Sequence, residues 1–461
     1  MSILERLRER FWFIPAVLCL AAVVLAEALV TIDERMGTLD VPGWLATVLY
    51  RVGESGSRDI LGAIATSSLA VAGTTFSITM AVLALTSSTY GPRLVRNFMT
   101  DRGNQTVLGV YVSTFLYSLL VLRSIRVLGD PGAQDAEVFV PHLAVNAAVV
   151  LAVANVVVLI YFIHHITESI QVSSLAGGVR RDLRQVVDRM YPADVGRGPE
   201  SARDHSSAAA TGPRARLPES LGREGRAVTA DRPGYVQHVE DERLLDAARD
   251  ADVVVALQVR PGDYVLDGTV VALVHPPGRV DDDVMAAVRH AVAVADARTP
   301  VQDVAFAVQQ LTEMAVRALS PGTNDPYTAV NAVHDLTAGL SVLASRRVPS
   351  ADRLDAAGVL RVHAPRPEAT ELIGTVVDHM RWYAASSPAV MHATLDLLRD
   401  VAAHARSAEL RAGSAVHVAL LRDAFHDAGH HVRDVRSFDE HADSVLDAMR
   451  SARPPAAGSS R

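Results

Sequence analysis

Side chains that could do chemistry cluster around one turn in the second half of the sequence. The segment Ser320–Thr328 reads Ser-Pro-Gly-Thr-Asn-Asp-Pro-Tyr-Thr and separates two amphipathic segments. Asp325 followed by Pro326 is typical of a helix start, because aspartate caps free amides and proline fits the first helical position. Capping accounts for every residue type in the turn. The alternative is an anion site at the new helix start, with these ligand-binding candidates: Asp303, Arg317, Ser320, Asn324, Asp325 and His334.

Two histidines four residues apart, His426 and His430, have a spacing that could hold a metal ion on one helix face. Asp423 and Asp427 interleave them, which is equally typical of a solvated polar face. The second interpretation is favoured, because neither a third ligand nor a Glu-x-x-His core accompanies the pair. The sequence therefore predicts no metal ion and no cofactor.

The composition argues against several classes of enzyme. All 44 basic residues are arginine, which excludes Schiff-base lysines, a phosphate-binding Walker lysine and biotinyl or lipoyl attachment. Cys19, the single cysteine, lies in an apolar run, so an intrachain disulfide is impossible. The net charge of −8 gives no reason to expect nucleic acid as a partner. With no Gly-x-Ser-x-Gly elbow either, an enzymatic activity is unsupported, although not excluded.

Four apolar segments are long enough to cross a bilayer, which takes about 20 helical residues. They are Phe11–Ile32, Ile60–Thr86, Val107–Leu128 and Val138–Ile163. A cleaved signal peptide is an alternative for the first, because Ala26-Glu27-Ala28 resembles a cleavage site. The length of the first segment and the three spans that follow it favour a retained helix. The sequence therefore predicts a multi-pass protein, with the lipid bilayer as a partner.

Arginines are concentrated on one side of the predicted spans. Three precede the first span, three lie between the second and third, and three follow the fourth. By the positive-inside rule, both termini are predicted in the cytoplasm and the protein in the plasma membrane. The arginines are Arg6, Arg8, Arg10, Arg93, Arg96, Arg102, Arg180, Arg181 and Arg184.

Polar residues inside the spans are the second group of candidates. The second span carries two ridges of small residues, which predict a central helix packed on both sides or, alternatively, a wall of a polar pathway in an oligomer. Arg123 is expected to pair with Glu27, since an unpaired charge in the membrane is costly. Asparagines in spans more often bond between helices than bind ligands. The candidates are Glu27, Thr66, Thr74, Ser77, Arg123, Asn146 and Asn155.

The rest of the chain divides by composition. The predicted parts are a transmembrane domain (1–190), a flexible linker rich in glycine, proline, serine and arginine (191–230), a small mixed β module (231–280), a helical domain (281–450) and a disordered tail (451–461). Thr299 with Gln302 predicts a capping box, with Pro300 at the first helical position. The predicted fold is a mostly α membrane protein with four transmembrane helices followed by a cytoplasmic α+β domain.

Several stretches resemble a known family. The block 317–329, the stretch from Tyr90 to Phe98, Gly234-Tyr235-Val236-Gln237 and Arg260-Pro261-Gly262-Asp263 are similar to the bacterial family of predicted membrane proteins called domain of unknown function 2254 (DUF2254). The resemblance covers nearly the whole chain apart from the linker and tail. It implies a bacterial inner-membrane protein with a cytoplasmic domain, and it implies no particular activity.

Three hypotheses follow for the function. The favoured one is a homo-oligomeric channel- or transporter-like protein, regulated by its cytoplasmic domain through a small ligand of unknown identity. A non-conducting membrane scaffold or sensor fits the polar second span equally well. A membrane-anchored enzyme is disfavoured, because the sequence offers no catalytic constellation.

Overall fold

The structure is a computed structural model that describes residues 12–36, 53–90, 101–126, 139–170, 172–191 and 216–451. The chain forms two compact units, Met1–Leu175 and Ala176–Arg461. The boundary lies earlier than the predicted end of the transmembrane domain at residue 190. The arginines before the first span, residues 91–100, most of the predicted linker and the tail after Ser451 lie outside the described residues.

The first unit contains the four predicted spans as helices. They are α1 (Phe13–Met36), α2 (Glu54–Tyr90), α3 (Arg102–Ser124) and α4 (His142–Ile170). Each contains a window long and apolar enough to cross a membrane. Polar residues extend α2 at both ends, α1 and α4 at their C-terminal ends and α3 at its N-terminal end. By contrast, α1 and α4 begin, and α3 ends, two to four residues inside the predicted limits.

Small residues let the helices of the first unit approach closely. α3 packs against α1 and α2, and α4 packs against α3 and α2. A Cβ added to Gly109 of α3 would lie 2.7 Å from Leu18 Cδ1 and 3.0 Å from Pro15 Cα of α1. Asp33 of α1 accepts the backbone N–H of Leu143 and Ala144, at 3.1 and 3.0 Å. A carboxylate of one helix thus caps the start of another.

The second unit combines two sheets with helices. Its elements, in chain order, are α5 (Val172–Met190, which starts in the first unit), α6 (Leu221–Glu224), β1 (Arg226–Thr229), β2 (Gly234–Val239), α7 (Asp241–Asp250), β3 (Val254–Leu257), β4 (Tyr264–Val265), β5 (Val270–His275), α8 (Asp282–Ala291), β6 (Val292–Ala295), α9 (Val304–Ala318), α10 (Pro326–Ala344), β7 (Asp352–Leu354), β8 (Leu360–His363), α11 (Ala369–Tyr383), α12 (Pro388–His404), α13 (Ala408–Asp427) and α14 (Val432–Ser451).

The two sheets draw strands from both predicted parts of this unit. One has the order β1-β5-β3-β8-β7 and the other β4-β2-β6. β3 and β8 pair in parallel, and the other pairs are antiparallel. Strands β6, β7 and β8 come from the region predicted as helical. The predicted β module therefore completes one sheet with β8, more than 100 residues after β3 in the chain, and the other sheet with the nearer strand β6.

Three predictions about local structure need correction. β1 forms within the predicted linker, and Val228 is fully buried. The predicted capping box does not start a helix, because α9 begins at Val304 with Asp303 as its N-cap. Gln302 instead bonds the backbone of Val239 in β2, through both N–H and C=O. The amphipathic pattern over residues 414–449 predicts one helix, but the structure has two, α13 and α14, since Gly429 adopts a φ of +74°.

Candidate functional site

One face of α2 consists of small residues and points away from the other described helices. At 100° per residue its eight members fall on one stripe of the helix surface. All eight are exposed, and a Cβ added to Gly73 would meet no atom within 4 Å. We call this the small-residue face: Ala63, Thr66, Ala70, Gly73, Thr74, Ser77, Ala81 and Ala84. Among the described residues α2 is therefore packed on one side, whereas packing on both sides was the first of the two predictions for this helix.

The outward surface of α4 differs in kind. Between Val149 and Ile160 its exposed residues are aliphatic, and the five most exposed large apolar residues of the helix are between 58% and 68% exposed. Such a surface suits lipid tails. The small-residue face of α2 offers few apolar atoms by comparison, and it extends over about 31 Å of helix, close to the thickness of the hydrocarbon layer. The α4 residues are Val150, Val153, Val156, Val157 and Ile160.

The opposite side of α2 enters a buried polar cluster that joins three helices. The Asn155 amide of α4 donates to Ser68 Oγ of α2 at 3.1 Å, and its oxygen accepts from Thr114 Oγ1 of α3 at 3.3 Å. Tyr111 Oη of α3 donates to the Asn155 carbonyl at 2.6 Å. Asn155 thus bonds between helices, where an unsatisfied amide would be costly.

A small cavity lies further along the same side of α2. Its volume of about 10 Å³ leaves room for roughly one water molecule. Thr75, Thr79 and Asn104 line it together with Phe162. Asn104 is 4% exposed, and neither polar atom of its amide has a hydrogen-bond partner within the described residues. The cavity therefore has space for a water molecule beside a buried amide whose atoms require a hydrogen-bond partner.

A contact between a histidine and an aspartate lies at the end of the unit where α3 begins. Asp101 caps α3 by accepting the N–H of Gly103 at 2.7 Å, and its second oxygen lies 2.6 Å from His165 Nε2 of α4. Sequence reasoning did not select Asp101 or Asn104 as site residues. The only available signal was a polar cluster directly before an apolar span, which is also typical of an ordinary helix cap.

The charged candidates do not meet as expected. Glu27 and Arg123 are both exposed, and the described part of the chain shows no ion pair between them. Arg126 instead lies 3.8 Å from Glu34. The predicted pairing was wrong because it considered membrane depth alone, whereas side-chain direction around each helix decides which groups can touch. Asn146 donates its amide to the His142 carbonyl one turn earlier in its own helix.

The turn between α9 and α10 is held together by its own groups. Asp325 is the N-cap of α10, accepting the N–H of Thr328 at 3.1 Å and its hydroxyl at 2.5 Å. The Thr328 hydroxyl holds the pKa of the Asp325 carboxyl below its usual range. Asn324 adopts a φ of +44°, and its N–H bonds the Ser320 carbonyl at 2.9 Å. The Asp325 carboxylate thus occupies amides that an anion would need.

The remaining candidates for this turn are spread out. Asp303 caps the opposite end of α9, about 22 Å from the turn along a 15-residue helix. It is buried in a bidentate ion pair with Arg298, at 2.7 and 2.9 Å. Arg317 and His334 are exposed near the turn. The structure therefore brings together Ser320, Asn324 and Asp325 and separates Asp303 from them.

The two histidines of the possible metal pair have different partners. His426 Nε2 lies 2.9 Å from Asp439 Oδ1 of α14. His430 Nε2 lies 2.8 Å from the Ala385 carbonyl, and its ring stacks on Phe425 with 4.1 Å between centroids. No group of three or more potential metal ligands is present in the described ranges.

Four apolar helices with buried interhelical polar bonds, followed by an α+β unit, define the class as a multi-helix membrane protein. The sequence model of the predicted membrane protein family DUF2254 matches residues 8–400. The chain belongs to this family, as the resemblance of its motifs predicted.

Curated relatives support the same membership. The chain is 30% identical over 424 residues to uncharacterised proteins of Mycobacterium tuberculosis (strain H37Rv) and Mycobacterium bovis. Each match covers 91% of this chain and 77% of the relative. No solved structure matches the chain.

Proposed function

We propose that the protein is a homo-oligomeric, channel-like membrane protein whose subunits meet along the small-residue face of α2. The exposed small-residue face carries this proposal. A surface of glycine, alanine, serine and threonine that runs the depth of a bilayer gains little from lipid tails. It gains more from a second helix, whose backbone can approach closely, or from water in a lumen.

The contrast between α2 and α4 supports the choice of face. Valine and isoleucine cover the outer surface of α4, which suits lipid, so the two surfaces have different preferred neighbours. The polar cluster at Asn155 and the cavity at Asn104 lie on the other side of α2. The inner side of α2 thus combines apolar core residues with this polar cluster and cavity. The small-residue face lies on the outside, flanked by the exposed Leu69, Phe76, Ile78 and Leu85.

A non-conducting scaffold is the second proposal, and the hydroxyl groups favour it. Thr74 donates to the Ala70 carbonyl at 3.0 Å, and Ser77 donates to the Gly73 carbonyl at 2.9 Å. Hydroxyls that bond back to their own helix need no partner across a contact, so the face suits tight packing without a lumen. In this version the second unit would act as a sensor or binding platform.

The orientation forms part of the proposal. Both termini are placed in the cytoplasm and the protein in the bacterial plasma membrane, supported by the arginine bias of the flanks. The second unit is then a cytoplasmic regulatory domain. A reporter fused at residue 210 should be active in the cytoplasm, and a periplasmic signal at that position would contradict the orientation.

Cysteine cross-linking in native membranes tests the contact. Cys19 is the single cysteine, so Cys19→Ser provides a cysteine-free background. Ser77→Cys places a thiol on the small-residue face, and Val153→Cys places one on the aliphatic face of α4 as the matched control. We expect oxidation to yield dimers with Ser77→Cys and not with Val153→Cys. Equal cross-linking of the two variants would contradict the proposed contact.

Flux measurements on the same variants separate the two versions. The purified protein in liposomes is tested for ion flux before and after a charged thiol reagent reacts with Ser77→Cys. Flux that the reagent changes in Ser77→Cys and leaves unchanged in Val153→Cys supports the channel. Cross-linking at Ser77→Cys without any flux supports the scaffold.

A further inference from the structure

An arginine-rich cleft lies in the second unit between α5 and α10. It encloses about 400 Å³ and is open to solvent on one side. Arg180, Arg181, Arg184 and Gln185 form the α5 wall, and Ala338 with Gly339 forms the α10 wall. Of these six lining residues three are cationic and none is acidic. We refer to these six residues as the arginine cleft.

Close packing of the two helices fixes the shape of this cleft. A Cβ added to Gly339 would lie 2.2 Å from Leu183 Cδ2, so the absence of a side chain lets α10 approach α5. Leu183 is fully buried at the contact. Arg184 follows Arg180 by four residues and Arg181 by three, so it neighbours both of them on the surface of α5. The cleft is therefore a shaped part of the fold, built on two regular helices.

The charges in the cleft are only partly balanced. Arg180 lies 2.8 Å from Asp335, which is mostly buried on α10. Arg184 lies 3.5 Å from Asp188, but that carboxylate is also 2.7 Å from Arg346. Arg181 has no ion pair with any acidic residue in the described part of the chain. A surplus of positive charge thus remains at the cleft, carried by guanidinium groups that are free to bond a further anion.

We propose that the arginine cleft binds the phosphate group of an anionic ligand. Guanidinium groups donate paired N–H bonds that match phosphate oxygens, and they are weakly hydrated for a cation. The small Ala338 and Gly339 leave room beside them for the remainder of the ligand. Two sources carry this chemistry, which are the headgroup of an anionic phospholipid and a soluble phosphate compound.

The place of α5 in the chain makes a lipid headgroup a reasonable source. α5 begins at Val172, and the fourth candidate span ends at Thr167. Basic residues close to the end of a span are attracted to anionic lipids at the membrane surface. A soluble phosphate would bind the same guanidinium groups without a membrane.

The test uses the full-length protein in a neutral detergent. Binding is read from the ligand-dependent rise in unfolding temperature, since a ligand that binds only the folded state stabilises it. Short-chain phosphatidylglycerol is compared with phosphatidylcholine, and sodium phosphate with sodium chloride at equal ionic strength. We expect stabilisation by phosphatidylglycerol, by phosphate or by both. The first identifies a lipid headgroup and the second a soluble phosphate.

Variants locate the binding. Arg181→Gln and Arg184→Gln should each weaken it about tenfold, the typical effect of losing a hydrogen bond to a charged group. Ala338→Leu should weaken it as well by narrowing the cleft while keeping every charge. Arg433→Gln removes an exposed arginine on α14, to which no binding role is assigned, and should bind as the wild type does. The proposal is overturned if neither probe stabilises the wild type, or if the three cleft variants bind as tightly as Arg433→Gln.

Discussion

The contact between Gly339 and Leu183 gives the sharpest prediction for the second unit. In Gly339→Ala the new Cβ would lie 2.2 Å from Leu183 Cδ2 and 2.8 Å from Leu183 Cγ. Carbon atoms in ordinary contact are about 3.5–4.0 Å apart, so one helix or the leucine must move. Leu183 is fully buried and has little space to yield. We therefore expect a loss of about 1–3 kcal/mol of unfolding free energy from overpacking.

A double substitution tests whether this contact is the cause. Leu183→Ala alone should cost about 2–5 kcal/mol, because it leaves a cavity. In the double variant the methyl group introduced by Gly339→Ala occupies part of that cavity, so the combined loss should fall short of the sum by about 0.5–3 kcal/mol. Simple additivity of the two losses would show that Gly339 and Leu183 do not compete for the same space.

Thermal unfolding of the full-length protein in detergent provides the measurement. Each kcal/mol should lower the unfolding temperature of a unit this large by about 2–4 °C. Gly413→Ala is the matched control, since Gly413 also lies inside a helix but a Cβ there would meet no atom within 4 Å. We expect Gly413→Ala to be neutral or slightly stabilising, as alanine favours helix. A Gly339→Ala protein that unfolds like the Gly413→Ala control would refute the reasoning.

Three further predictions concern other parts of the molecule. Gly73→Leu should abolish oligomers and leave the subunit folded, whereas Gly109→Leu should destabilise the four-helix unit. The reason is that, of these two glycines, Gly109 alone would bring its new side chain against other atoms of the subunit. Size-exclusion chromatography with light scattering measures the oligomers, and melting curves measure the stability. Asp325→Ala should lower the free energy of unfolding by about 0.5–2 kcal/mol, and Asp325→Asn and Asp325→Ser should recover most of this loss in melting curves, because both side chains still cap the helix. If Asp325→Asn recovers the stability fully but the protein loses its function, Asp325 is instead a binding carboxylate. Burial, and to a smaller extent the neighbouring His441, lowers the pKa of His392 from its ordinary value of 6.5. As the pH drops through about 6.5, this histidine therefore binds a proton in the unfolded chain before it does so in the folded protein, and the free energy of unfolding should fall. Burial lowers the pKa of His417 too, so His392→Leu should reduce this slope between pH 5 and 6.5 without removing it, and an unchanged slope would contradict the assignment.

The sequence was sufficient to predict the membrane spans and several local elements. Hydropathy and length identified all four spans, because an apolar run of about 20 residues has few other stable solutions. The residue pattern of Gly234–Val239 predicts a strand, and the structure has β2 at these residues. The Asp325 cap and the proline that follows it were also correct, since capping depends on residues adjacent in the chain.

Pairing of distant residues could not be predicted in the same way. β3 pairs with β8, and the same side-chain pattern would have allowed other partners. Gln302 was assigned to a capping box from its spacing, but it bonds β2 because the fold brings Val239 beside it. The direction of a side chain around its helix decided that Arg126 lies near Glu34, whereas the described residues show no ion pair between Arg123 and Glu27.

For the candidate sites, residue types came from the sequence and their exposure came from the fold. Glycine, alanine, serine and threonine at three- and four-residue spacing already mark a helix face suited to close contact. Whether that face is buried depends on which side of α2 meets α3 and α4, and in the structure this is the side with the buried Ser68 and Thr75. The arginine cleft likewise requires α5 and α10 to meet at Gly339, 156 residues after Leu183 in the chain. Local sequence determines the chemistry a segment carries, whereas tertiary packing decides which of those groups meet, because contacts between distant segments depend on the whole chain.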